Sequence, residues 1–104
     1  MIELNPEELQ SKIENGETFL VDLFATWCGP CKIMLSNLET VTKSPNYNSA
    51  VKVYKYNVES DIALSKTLGV KSVPTVKIFS GGKEVFNHVG VMTPDQITNT
   101  LSKY

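Results

Sequence analysis

From Thr18 to Thr26 the chain places apolar side chains on both faces of any strand it forms. Phe19, Val21, Leu23 and Ala25 fall on one side, Leu20 and Phe24 on the other. Such a strand has no face to give to water, so it must lie inside a sheet that is covered on both sides. The flanking segments supply the cover. Asn5-Pro6-Glu7-Glu8 reads as a helix start, with Asn5 as cap, Pro6 in the first turn and acidic residues near the positive helix end. Leu9 and Ile13 would face the core, and Gly16 ends that helix. After Cys31 the apolar positions Ile33, Met34, Leu38 and Val41 follow helical spacing, until the polar run Ser44-Pro45-Asn46-Tyr47-Asn48-Ser49 stops it. Val51 to Val58 reads as a second strand, and Ser60 to Leu68 as a short helix closed by Gly69. Thr75 to Phe79 and Glu84 to Val89 form a hairpin across Ser80-Gly81-Gly82-Lys83. Thr93-Pro94-Asp95-Gln96 opens the last helix, with Thr93 as cap and Gln96 placed to return the bond. Strands alternate with helices and then pair directly, which predicts an α/β fold: a mixed central sheet with helices on both faces. With 104 residues and 41% hydrophobic content there is apolar mass for one core, so residues 1–104 are expected to form a single domain.

A net charge of -1, with both signs scattered along the chain, leaves no electrostatic footprint for nucleic acid or an anionic membrane. Partners are expected to be reached by shape and apolar contact. The segment Met1 to Glu8 lacks a basic stretch followed by an apolar run, and no stretch approaches the ~18 apolar residues of a membrane span. The expected location is cytoplasmic. No surplus apolar stripe is visible, so a monomer is expected.

Cys28 and Cys31 are the only cysteines, three residues apart, at the point where the central strand hands over to the long helix. A disulfide between them closes only a tiny loop and removes little chain entropy, so a structural staple explains them poorly. Cys28 falls at a helix N-terminus, where backbone N–H groups lack partners and the dipole favours negative charge, so a thiolate there is stabilised. Cys31 is close enough to attack a mixed disulfide on Cys28, and the imposed φ of Pro30 suits a first helical turn. The alternative is half of a zinc site. Zinc takes four ligands as a rule and the chain adds only His88, so no metal is expected. Asp22 sits on an apolar face of the doubly buried strand. Burial raises a carboxyl pKa by desolvation, which suits a proton acceptor for a nearby thiol such as Cys31. A hydrogen-bonded structural Asp, or one at a sheet edge, is the plainer reading. Lys55, on the next strand, is a charge partner for Asp22 or simply part of a solvated face.

The run Phe19-Leu20-Val21-Asp22-Leu23-Phe24-Ala25-Thr26-Trp27-Cys28-Gly29-Pro30-Cys31-Lys32 resembles the active-site signature of the thioredoxin family. Further similarities span nearly the whole chain: Lys55-Tyr56-Asn57-Val58-Glu59 resembles the family's third-strand segment, Val73-Pro74-Thr75 its cis-proline loop, Gly81-Gly82 its hairpin turn, and Val89-Gly90-Val91 the stretch before its final helix. The resemblance implies a thioredoxin fold and a general protein disulfide reductase, with Cys28 the nucleophile, Cys31 the resolving thiol, and Asp22 with Lys55 a buried proton-handling pair. Trp27, Gly29 and Pro30 complete the motif. Pro74 would be cis, leaving the Val73 backbone free to pair with an extended substrate segment. Trp27, Val73, Pro74, Gly90 and Val91 would form an apolar docking patch. The plainer readings are a strand-start role for Pro74 and a half-buried aromatic for Trp27. Implied partners are disulfide-containing client proteins and a thioredoxin reductase. No cofactor is expected to be bound, and NADPH enters only through that reductase.

Three departures bear on what transfers. Ser36 stands where most members have a helix-kinking proline, Phe24 where a tryptophan is common, and the Lys43–Ala50 loop is slightly longer and more polar. None touches the dithiol. An oxidase or isomerase of this fold would carry a histidine between the cysteines, and a glutaredoxin a Pro-Tyr pair; Gly29-Pro30 fits neither. A binding module with incidental thiols is disfavoured by the intact Asp22, Cys28, Cys31 and Pro74.

Overall fold

A computed structural model describes residues 1–104. The elements are β1 (Ile2–Glu3), α1 (Pro6–Glu14), β2 (Phe19–Phe24), α2 (Gly29–Thr42), β3 (Lys52–Asn57), α3 (Ile62–Thr67), β4 (Thr75–Ser80), β5 (Lys83–Val89) and α4 (Pro94–Leu101). The expected order of elements is therefore present, with ends displaced by one or two residues. Asn5 and Thr93 each close a full capping box with the side chain three residues on, Glu8 and Gln96. At the hairpin, Gly81 and Gly82 have φ of 61° and 81°, the paired left-handed conformation of a two-residue turn whose twist matches the strands.

One five-stranded sheet runs in the order β1-β3-β2-β4-β5. β3 is parallel to both β1 and β2, whereas β4 is antiparallel to β2 and to β5. The step from β1 to β2 crosses the sheet one way and the step from β2 to β3 returns the other way. Right-handed crossovers then send α1 and α2 to opposite faces. The core divides accordingly. Leu20, Val76 and Ile78 pack with Met34, Leu38 and Val41 of α2 and Ile97 and Leu101 of α4. On the other face Phe19, Val21, Leu23 and Phe79 pack with Leu9 of α1 and Leu64 of α3. β2 lies between the two clusters, with every residue from Phe19 to Leu23 buried.

Ile33 departs from expectation. Its side chain is 57% exposed, while Cys31, Met34, Leu38 and Val41 form the inward stripe of α2. Steps of three, four and three residues keep that stripe on one face, and Ile33 lies about 100° away from Met34. Ser36 leaves α2 unbroken from Gly29 to Thr42, its carbonyl accepting from Thr40 Oγ1 at 3.1 Å. The polar loop after α2 is anchored, because Tyr47 donates to the Val51 carbonyl at 2.7 Å and Asn48 Nδ2 to the Leu101 carbonyl at 2.9 Å.

Candidate active site

The chain changes sides of the sheet at the carboxyl ends of β2 and β3. β2 leads into α2 on one face and β3 into α3 on the other, and open α/β sheets bind ligands in the crevice such a divergence leaves. Cys28 sits there as the N-cap of α2, its Sγ accepting the Cys31 N–H at 3.2 Å. Pro30 occupies the first turn, where a missing N–H costs nothing. Cys28 and Cys31 are joined as a disulfide with their Cα atoms 5.3 Å apart, and both are buried. Gly29 meets nothing within 4 Å of where a side chain would begin, so the motif's central residues face open space.

Asp22 is fully buried on β2, on the α2 face shared by Leu20, and neither carboxylate oxygen has a hydrogen-bond partner. Desolvation pushes its pKa up to about 7, against the opposing pull of the Lys55 ammonium. Lys55 stands directly across from Asp22 in the β2–β3 register. The expectation of a buried pair is met only in part. Lys55 is half-buried, makes no ion pair, and holds its Nζ 5.8 Å from the centre of the Phe24 ring. The lysine acts on Asp22 through its field alone.

The Val73-Pro74 peptide is cis. Val73 packs against the cluster of Ala25, Cys28 and Cys31, and its N–H and C=O make no hydrogen bond within the protein. The Pro74 carbonyl accepts the Gly90 N–H at 2.9 Å, bringing Gly90 and Val91 beside the proline. Gly90 has φ of 103°, a conformation that side chains rarely adopt. Trp27 is 73% exposed, so it is not the ordinary half-buried aromatic, and Val91 is 38% exposed. Trp27 and Val73 line a groove of about 490 Å³ together with Val58, Ile62 and Val70. The contribution of α3 to this groove is not legible in the sequence, where nothing sets Ile62 apart from the rest of the short helix.

A second unanticipated feature is Lys77 of β4. It is 4% exposed, and its ammonium donates to Glu84 and, at 2.9 Å, to Asn87 Oδ1, both on β5. The signal was legible in the same way as that of Asp22, as a charge inside an apolar strand.

The sequence model of the family described as Thioredoxin matches residues 1–103. The chain belongs to the thioredoxin family. A thioredoxin of Griffithsia pacifica is 35% identical over 92 residues, 88% of this chain and 83% of the relative. The Haemophilus influenzae thioredoxin is 30% identical over 105 residues, covering 100% of this chain and 96% of the relative. Among solved structures, a mutant thioredoxin from Halobacterium salinarum superposes with a TM-score of 0.83 at 28% identity, over 99% of this chain and 88% of that one. Plasmodium falciparum thioredoxin gives 0.82 at 25% identity, over 100% and 99%. The chain is thus a protein disulfide reductase of the thioredoxin family, a thiol-disulfide oxidoreductase working through a redox-active disulfide, with disulfide-containing clients and a reductase as its partners in general. Thioredoxins carry no bound cofactor, and no three His, Cys, Asp or Glu side chains cluster here as metal ligands would.

Proposed function

We propose that Cys28 is the attacking thiolate and Cys31 the resolving thiol. The reading rests on one observation: Cys28 caps α2, where its sulfur accepts the Cys31 N–H, while Cys31 lies inside the first turn. A thiolate on Cys28 keeps that N–H and gains from the helix dipole; one on Cys31 has neither. The Cys28 thiolate attacks a client disulfide, forming a mixed disulfide and expelling one client thiolate. Asp22 takes the proton of Cys31, its raised pKa making it a competent base near neutrality. The Cys31 thiolate then attacks Cys28 Sγ, closes the Cys28–Cys31 disulfide and releases the second client thiolate. Two electrons have passed from protein to client, and a reductase drawing on NADPH returns them. Burial sets the raised pKa of Asp22, and Lys55, which holds that rise in check through its field, is a positioning residue. The client lies extended beside Val73, pairing with its free N–H and C=O as an added strand, and meets an apolar patch of Trp27, Val73, Pro74, Gly90 and Val91. Residues 1–104 act as one domain, a cytoplasmic monomer with no nucleic-acid or membrane partner; no helix is long and apolar enough to cross a membrane.

The test is trapping. Incubated with a peptide disulfide, Cys31→Ser should accumulate a stable adduct on Cys28 that dithiothreitol releases, and Cys28→Ser should accumulate none. An adduct formed by Cys28→Ser and not by Cys31→Ser would reverse the assignment.

A further inference from the structure

The groove beside the cysteines has an apolar floor and an uneven charged rim. Trp27, Val58, Ile62, Val70 and Val73 supply the floor. Along the rim stand Lys66 of α3, Lys71 of the loop before Pro74, and one carboxylate, Glu59. All three are exposed. The ion pairs of the protein are Lys12–Glu17 and Lys77–Glu84, so neither rim lysine is neutralised by a neighbour. Asp61, the acid that caps α3 by accepting the Leu64 N–H at 3.0 Å, does not line the groove. The rim is therefore net positive on a chain whose overall charge is -1. An unpaired cation at the edge of an apolar groove acts on a partner more than on stability, since it steers encounter and fixes register.

Resting on the disulfide-exchange reading above, we infer that Lys66 and Lys71 are specificity-determining residues that select client segments carrying acidic side chains next to the reactive cysteine. An extended segment paired with Val73 sends alternate side chains to opposite faces, so with its cysteine turned to Cys28 the two side chains flanking that cysteine share the other face and reach the rim together. A carboxylate there meets two cations and one like charge. A basic side chain at the same place meets the reverse.

Three disulfide-linked peptides test this, identical except that the residues flanking each cysteine are Glu, Gln or Lys. The reduced full-length protein is mixed with each in single turnover. Each rate is divided by that of dithiothreitol on the same peptide, which removes the peptide's own reactivity. The expected order is Glu above Gln above Lys, with the Glu peptide roughly threefold to tenfold faster than the Lys peptide at low salt, the scale of two exposed charge contacts. That ratio should fall toward one at about 0.5 M salt, where screening acts within a few ångströms. Lys66→Glu/Lys71→Glu should invert the order, a result that damage to the fold would not produce. Equal Glu and Lys rates in the wild type, or an order that survives the double substitution, overturns the inference while leaving disulfide reduction standing. A Gln peptide that is not reduced at all sinks the reductase reading, and the inference with it.

Discussion

Asp22 and Lys77 show how differently a sheet can treat a charge. Lys77 has Glu84 and Asn87 as partners across the β4–β5 ladder, so its burial is compensated. Asp22 has none, and a carboxyl without partners in an apolar layer keeps its proton to a higher pH. Its folded pKa of about 7 lies above the ~3.9 of an unfolded aspartate. The folded state therefore binds the proton more tightly. The stability this contributes is complete below about pH 4 and disappears as pH rises through about 7. Between pH 5 and pH 8 the wild type should lose about 2–3 kcal/mol relative to Asp22→Asn, whose side chain does not titrate. Urea midpoints of the two proteins at both pH values measure this; a gap that stays constant would show that Asp22 is ionised throughout. The same substitution should remove the inflection near neutrality from the pH profile of client reduction.

At the scale of single elements, the site depends on how α2 begins and how β4 is entered. Cys28 is the cap of α2, so the residue that opens the helix also holds, at the positive helix end, the sulfur proposed to attack. The capping box of α1, made by Asn5 and Glu8, involves no residue of the site and contributes stability alone. Asn5→Ala should lower unfolding free energy by about 1 kcal/mol, the usual worth of a cap, with unchanged turnover. Denaturation with a parallel insulin-reduction assay checks both halves, and a fall in turnover would tie α1 to the site. Helix spacing places the inward stripe of α2 except at Ile33, because apolarity alone does not reveal which of two adjacent residues points inward.

For the whole molecule, two apolar layers clamp β2 and hold Asp22, Cys28 and Val73 in fixed relation across three separate segments. Leu38 is fully buried between α2 and the sheet, and Leu38→Ala should cost about 2–5 kcal/mol through lost burial and a residual cavity. Ile33→Ala, on the exposed side of the same helix, should stay within about 0.5 kcal/mol. Thermal or urea unfolding of the pair separates the two positions, and equal losses would mean that Ile33 is covered in solution.

The chain's own pattern determined the order of elements, the doubly buried β2, the caps of α1 and α4, the glycine turn, and the placement of Cys28, Cys31 and Asp22 around the β2–α2 junction. Each follows from local periodicity or from the chemistry of neighbouring residues, which a sequence displays directly. Only the tertiary structure decided that Lys55 faces Asp22 without pairing with it, that Lys77 finds Glu84 and Asn87, and that α3 brings Ile62 and Lys66 into one groove with Trp27. Those relations join residues distant along the chain, and they are fixed by strand register and by the face on which each crossover packs, neither of which is written in any one segment.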